Sequence, residues 1–443
     1  MLNRFALTAL ALAMSASVSA ADLMEVYQLA RASDPQLAAA EARRLSAGQN
    51  VPLARSALLP QINGSADTTR GSTDGTVFSE ELDRDVNYSS DSRNHGYGIN
   101  VQQSVYRHSN YMNLRAARFQ AARGISDYDA ALDSLLYRVA EAYFGVLTAQ
   151  SNVTSAEAEE RAVGRQLEQA DQRFEVGLTA ITDVHEARAR FDGARAATIL
   201  ARNALDDAFE ALIEITGKPL AAIEPLKPEI TLAPPQPADS EEWVSIAIAN
   251  SPSLASQQNA VDAASANAKS AWAEHLPYLS FGGTFGKTYS GGDVGLFSLR
   301  DPENTSMNLT LNVPLFSGGY TTARHRQAIY DRDTTADILE QTRRATIRQT
   351  RSAYRSAVAG VSEVEARKQA LVSAQSALEA TQAGFEVGTR TIVDVLLSQQ
   401  QQFAAEREYA RARHAFILSN LRLKQSAGTI DVADIQAVNA MLD

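Results

Sequence analysis

The chain has 443 residues, 45% of them apolar, with a net charge of −11 and no cysteine. That length allows two or three ordinary domains, and the missing cysteines exclude disulfides, a thiolate metal site and a lipid-anchored cysteine. The acidic balance argues against nucleic acid or an anionic lipid surface as a partner.

Residues 1–20 carry Arg4, an apolar run from Phe5 to Met14, and Val18-Ser19-Ala20. These are the three parts of a secretory signal peptide, whose removal would leave Ala21 first. The run is too short to span a bilayer, and no later segment has the uninterrupted apolar length of a transmembrane helix. If the chain meets a membrane, it does so as strands.

From Asp22 a helical pattern runs to Ser56, interrupted at Ser33-Asp34-Pro35, and Leu59-Pro60 stops it. Alternation over Gln61–Ala66 and Tyr97–Tyr106 predicts a hairpin around a Ser/Asp/Gly/Asn-rich loop from Gly71 to Asn94. Residues 110–176 read as one helix about 100 Å long. Ile125, Tyr128, Leu132, Leu135, Val139, Ala142, Val146, Ala149 and Val153 form a heptad seam, and Leu136, Ala140, Tyr143 and Leu147 a second one beside it. Two adjacent seams call for a neighbour on each side, as in a ring of helices. A helix from Ile181 to Ile215 returns, Gly217 ends it, and residues 217–240 hold six of the thirteen prolines, a linker composition.

The second half replays the first. A helix from Ser240 to His275 is broken at Ser251-Pro252, and Leu276-Pro277 answers Leu59-Pro60. Strands follow at Tyr278–Gly286 and Asn308–Phe316 around a Gly/Asp/Ser loop, then helices at Thr321–Phe385 and Ile392–Ser426 and a short tail. The segment Phe385-Glu386-Val387-Gly388 through Ile392, Asp394 and Val395 repeats Phe174-Glu175-Val176-Gly177 through Ile181, Asp183 and Val184 at an offset of 211 residues. Each copy places a glycine, Gly177 or Gly388, where one helix ends and the next turns back, so each is the hinge at the tip of a helical hairpin. The expected organisation is a signal peptide (1–20), a first repeat (21–216), a linker (217–240), a second repeat (241–428) and a tail (429–443).

Four strands cannot close a barrel alone, so a membrane reading requires oligomerisation. Ile99, Val101, Val105, Leu309, Leu311 and Val313 alternate with Asn100, Gln102, Ser104, Thr310 and Asn312, one face suited to lipid and the other to water. Tyr97, Tyr106, Tyr278, Phe281 and Phe316 are candidates for aromatic girdles. A soluble sandwich hairpin would show the same alternation.

The repeated tip segment, the start Asp22-Leu23-Met24-Glu25-Val26-Tyr27 and Pro314-Leu315-Phe316-Ser317-Gly318-Gly319 resemble the TolC family of outer-membrane channel-tunnels, across essentially the whole mature chain. The resemblance implies an α+β fold and a homotrimer: twelve strands, four from each chain, in one transmembrane β-barrel continuous with a long periplasmic α-helical barrel. It implies an exit duct of tripartite efflux pumps or type I secretion, set in outer-membrane lipid. The partners it implies are a periplasmic adaptor and an inner-membrane transporter, ABC or proton-driven, with no cofactor. At matching positions the periplasmic gate would use Thr182, Asp183 and Arg390, with Asp394 as an acidic ring. Two departures stand out: Phe385 where the family's best-known gate has tyrosine, and Leu397 where it has a second acid. The plainer reading of Asp183 and Asp394 is first-turn helix capping.

The six histidines are scattered without ligand spacing, His185 reads as a surface helix residue, and no catalytic motif stands out. The rival function is a periplasmic or surface coiled-coil scaffold or adhesin without a pore.

Overall fold

The computed structural model describes residues 20–292 and 303–443. The signal-peptide reading, apart from Ala20, and part of the second hairpin's loop fall outside the described residues. The elements are α1 (Leu23–Ser33), α2 (Pro35–Ser56), β1 (Gln61–Ser79), β2 (Arg84–Tyr106), α3 (His108–Glu175), α4 (Ile181–Thr216), α5 (Ser240–Asn250), α6 (Pro252–Ala273), β3 (Tyr278–Gly292), β4 (Glu303–Asn312), α7 (Tyr320–Glu386), α8 (Ile392–Ala427) and α9 (Val432–Asn439). The order helix, helix, strand, strand, helix, helix occurs twice.

Three expectations change. The polar stretch 71–94 is not a loop: β1 and β2 pair residue for residue from Gln61↔Gln102 to Ser79↔Arg84. Its side chains carry little apolar alternation because both faces are exposed there, so the backbone ladder holds the hairpin. Pro314-Leu315-Phe316 lies beyond β4, and Phe316 is fully exposed, outside any strand. The tail contains α9, started by a capping box between Asp431 and Asp434.

The chain divides into two compact units. One comprises Arg43–Ser126 and Ala255–Gln341 and contains the sheet, ordered β1-β2-β3-β4 and antiparallel throughout. The alternation sorts its faces. Ile99, Leu309 and Leu311 are exposed, whereas Gly96, Gly98 and Asn100 lie on the more sheltered face. Tyr278, two residues before Ser280 on β3, shares that sheltered face, under the Arg107 guanidinium at 4.9 Å, and so is no part of an outward girdle. Tyr97 and Tyr106 remain outward candidates.

The other unit comprises the described residues up to Ala42, Asp127–Leu254 and Thr342–Asp443. Its core buries Leu135, Leu136, Val139, Ala140, Tyr143, Val146 and Leu147, so both seams are occupied over this stretch. Ile125, beyond it, is exposed. Helix α3 packs on α4, where Thr198 Oγ1 donates to Ala156 O and Arg202 pairs with Glu157 at 2.8 Å. It also packs on α8, where His414 Nδ1 lies 2.8 Å from Thr148 Oγ1 and Arg407 pairs with Glu159 at 2.9 Å. Helix α8 in turn packs on α7, where Thr350 Oγ1 donates to Ser426 O. Linker and termini are tied in: Tyr143 Oη donates to Ala21 O and Glu224 O, and Asp443 N donates to Pro225 O.

Candidate functional site: the helical tips

Both tips are built by the same backbone device. At the end of α3, Leu178 N donates to Arg173 O (2.8 Å) and Gly177 N to Phe174 O (2.9 Å); at the end of α7, Thr389 N donates to Gly384 O (2.8 Å) and Gly388 N to Phe385 O (3.1 Å). These paired bonds are Schellman caps, which require a left-handed residue after the helix. Gly177 and Gly388 supply it, with φ of 74° and 76°. The repeated glycine therefore records a repeated turn.

The returning helices start differently. α8 opens with a capping box: Thr391 Oγ1 accepts from Asp394 N at 3.2 Å, while Asp394 accepts from both Thr391 N and Thr391 Oγ1 at 2.9 Å. α4 opens at Ala180, which has no capping side chain, and Asp183 instead accepts from the Thr179 hydroxyl. The hydrogen bonds from Thr391, with the positive charge of Arg390 nearby, hold the Asp394 carboxyl below its ordinary value of 3.8, so it is ionised at neutral pH.

Beneath the caps sits a small apolar cluster of Val163, Ala170, Val184, Ala187, Ile392 and Leu396, with Phe385 packed against it. The Arg173 guanidinium stands 4.9 Å over the Phe385 ring. The aromatic face thus takes a cation where a tyrosine would also offer a hydroxyl. Leu397 is exposed and adds no charge. Thr182, His185 and Arg390 are exposed on the tips, and among the described residues the Thr182 hydroxyl and the Arg390 guanidinium have no hydrogen-bond or ion-pair partner within the chain. The structure thus pairs Asp183 and Asp394 with local threonines and leaves Thr182 and Arg390 unspent. Thr391-x-x-Asp394 spacing is a legible capping signal; the seat of Arg173 over Phe385 has none.

Val176, Leu178 and Val387 are 68%, 70% and 75% exposed, so the turns present apolar side chains to solvent. Among the described residues no helix is long and apolar enough to cross a membrane, and no cluster of His, Asp or Glu could hold a metal.

Helices of 67 and 68 residues that turn back at capped tips, with a four-stranded antiparallel sheet on which Ile99, Leu309 and Leu311 are exposed, fit the class of outer-membrane channel proteins. The chain belongs to the outer membrane efflux protein family, whose profile matches residues 26–218 and 243–429. It is similar to the outer membrane protein TolC of Vibrio cholerae, with 38% identity over 430 residues covering 97% of this chain and 95% of that protein. It is 32% identical to the alkaline protease secretion protein AprF of Pseudomonas aeruginosa, covering 94% of this chain and 86% of that one. Its fold matches the Campylobacter jejuni CmeC outer membrane channel with a TM-score of 0.77 at 18% identity, covering 95% and 90% of the two chains. The chain is an outer-membrane exit duct, and the poreless scaffold reading is set aside.

Proposed function

We propose that the two tips form the periplasmic gate of a homotrimeric duct serving efflux pumps, type I secretion or both. The observation that carries the gate is the division of labour just described: Asp183 and Asp394 stabilise their own helix starts, while Thr182 and Arg390 keep donors unused within the chain. Such donors are suited to the tip of a neighbouring copy, where a guanidinium fork offers strong, breakable links. Asp394, ionised and repeated three times around a narrow mouth, would supply a field that attracts cations. The exposed Val176, Leu178 and Val387 suit docking by a periplasmic adaptor that carries the duct to an inner-membrane transporter. An adaptor offering better partners to the tip donors would bias the gate open.

Closure by further copies is what the sheet calls for, and the family resemblance sets their number at three. With four strands alternating in direction, β4 of one copy is antiparallel to β1 of the next, so copies add head to tail until the barrel closes and no edge remains. Single-channel recording in planar bilayers tests the gate. Arg390→Ala should raise resting conductance, because closure loses charge-assisted bonds worth roughly 1.5–3 kcal/mol each. Asp394→Ala should reduce cation selectivity and relieve block by multivalent cations while the trimer persists. If both variants conduct like the parent, these residues are helix caps alone and the gate lies elsewhere.

A further inference from the structure

The two repeats break their leading helices at the same place and with the same backbone, and differ in the side chain that stands there. Asp34 closes α1 with φ −63° and ψ 117°, its N–H donating to Ala30 O; Ser251 closes α5 with φ −61° and ψ 116°, its N–H donating to Ala247 O. A proline opens the next helix in both cases. In the first repeat an ion pair fills the joint. Asp34 is 3% exposed, Arg138 of α3 donates to its two carboxylate oxygens at 2.6 and 3.3 Å, and Leu37 N donates to it at 2.9 Å.

The second repeat has neither member of that pair. Ser251 stands for the acid, and Gln349 of α7, which answers Arg138 at the offset of 211, stands for the guanidinium. Among the described residues neither side chain makes a hydrogen bond. Here the joint borders a cavity of about 630 Å³, lined by Ser251 and Gln349 together with Arg348 of α7 and Arg422 of α8. The Arg422 guanidinium lies 5.0 Å over the Tyr137 ring and donates from Nη1 to Gln425 Oε1 at 2.8 Å, which fixes it at the wall. No carboxylate is among the described residues that line the cavity, and neither arginine has an ion pair among them. Glu141 reaches its edge through Tyr137, whose hydroxyl donates to it at 3.4 Å.

From this exchange of side chains we infer that the joint of the second repeat is an oxyanion-binding site. A carboxylate or phosphate group from outside the chain takes the place that the Asp34 carboxylate takes in the first repeat, held by Arg348 and Arg422 with hydroxyl donors from Ser251 and Ser352. Guanidinium forks suit either anion, since both present paired oxygens, and two cations sharing one cavity without an acid repel until an anion joins them. Arg422 and Ser426 stand on the side of α8 opposite Lys424, which pairs with Asp434 of α9, so the cavity opens to solvent away from α9. A bound anion ties the α5–α6 joint to α7 and α8, as Asp34 ties the α1–α2 joint to α3.

Isothermal titration of inorganic phosphate and of succinate into the full-length protein in mild detergent tests the site, with sodium chloride of equal ionic strength as the reference. Saturable binding of one anion per chain is expected for at least one probe, and the stronger of the two tells phosphate from carboxylate recognition. Arg348→Gln and Arg422→Gln should each weaken it by about tenfold or more. Arg355→Gln, on α7 outside the cavity, should leave it unchanged. Ser251→Asp with Gln349→Arg rebuilds the first-repeat pair within the chain, and this variant should melt above the parent in chloride and lose anion binding. Heats of dilution alone for both probes overturn the site, and so does binding that the two arginine variants leave at the parent's strength. Undiminished binding in the rebuilt variant places the anion elsewhere and overturns it too; should that variant not fold, the arginine variants decide.

Discussion

At the residue scale, Gly388 and Phe385 show how little of a tip is interchangeable. Gly388 has φ of 76° and open space where a Cβ would stand, so a side chain there meets backbone strain rather than a clash. Gly388→Ala should cost about 1 kcal/mol at the tip. Faster amide exchange at the end of α7 and the start of α8, with the rest of the chain unchanged, is the expected signature. Phe385 presents the other case, because its ring is already engaged by the apolar cluster and by Arg173. Phe385→Tyr keeps both contacts and adds a donor for a carboxylate such as Asp183. Resting conductance should fall relative to the parent, and an unchanged value would mean that the hydroxyl finds no acceptor.

At the element scale, the two seams of α3 decide whether the helical unit assembles. Leu135 and Val139 are fully buried, whereas Glu141, two residues beyond Val139 and so on the opposite side of the helix, faces solvent. Leu135→Lys or Val139→Lys buries an unpaired charge at a cost of several kcal/mol, while Glu141→Lys costs about 0.5 kcal/mol or less. Trimer yield in mild detergent should separate them sharply. Asp133, on the same helix, is pushed up to about 6 by burial and by the neighbouring Asp129 carboxylate. A raised carboxyl favours the folded state at low pH, and that contribution disappears as pH rises from about 4 to about 6. Asp133→Asn should therefore raise the thermal midpoint at pH 7.5, by the equivalent of about 1 kcal/mol once screening at this half-buried site is allowed for. Near pH 4 the variant and parent should melt together. The seams were legible in sequence because heptad spacing is a strong signal, and so were the hinges, since glycine is the residue a left-handed cap selects. The outer halves of β1 and β2 were not, because residues such as Ser72, Thr73 and Asp74 carry turn chemistry while their backbones pair. α9 was missed although Asp431 and Asp434 stand at capping-box spacing, the helix being only eight residues long. At the site, Asp183, Arg390 and Asp394 were legible as candidates, but Thr179 as the partner of Asp183 was not, because α4 starts at an alanine that gives no capping signal.

At the scale of the whole molecule, the sheet has two unpaired edges, β1 and β4, and one face that water does not favour. Leu309, 64% exposed, lies on that face of β4, and Thr310 beside it points the other way, in register with Ser280 on β3. Closure and insertion satisfy both demands together, since pairing of β4 with the next β1 removes the edge and lipid covers the apolar face. Because side chains alternate, a one-residue step along the strand exchanges lipid for water. Leu309→Arg should therefore cost about 2–4 kcal/mol if the position lies near the bilayer midplane. Thr310→Arg, entering an aqueous lumen, should leave insertion intact and shift ion selectivity toward anions. The measurement is the fraction of protein that becomes protease-resistant and trimeric on folding into phospholipid vesicles, read for both variants under one protocol. Loss for Leu309→Arg with retention for Thr310→Arg supports the orientation argued for β4. The reverse pattern would turn the sheet inside out, and equal yields would mean that neither face meets lipid.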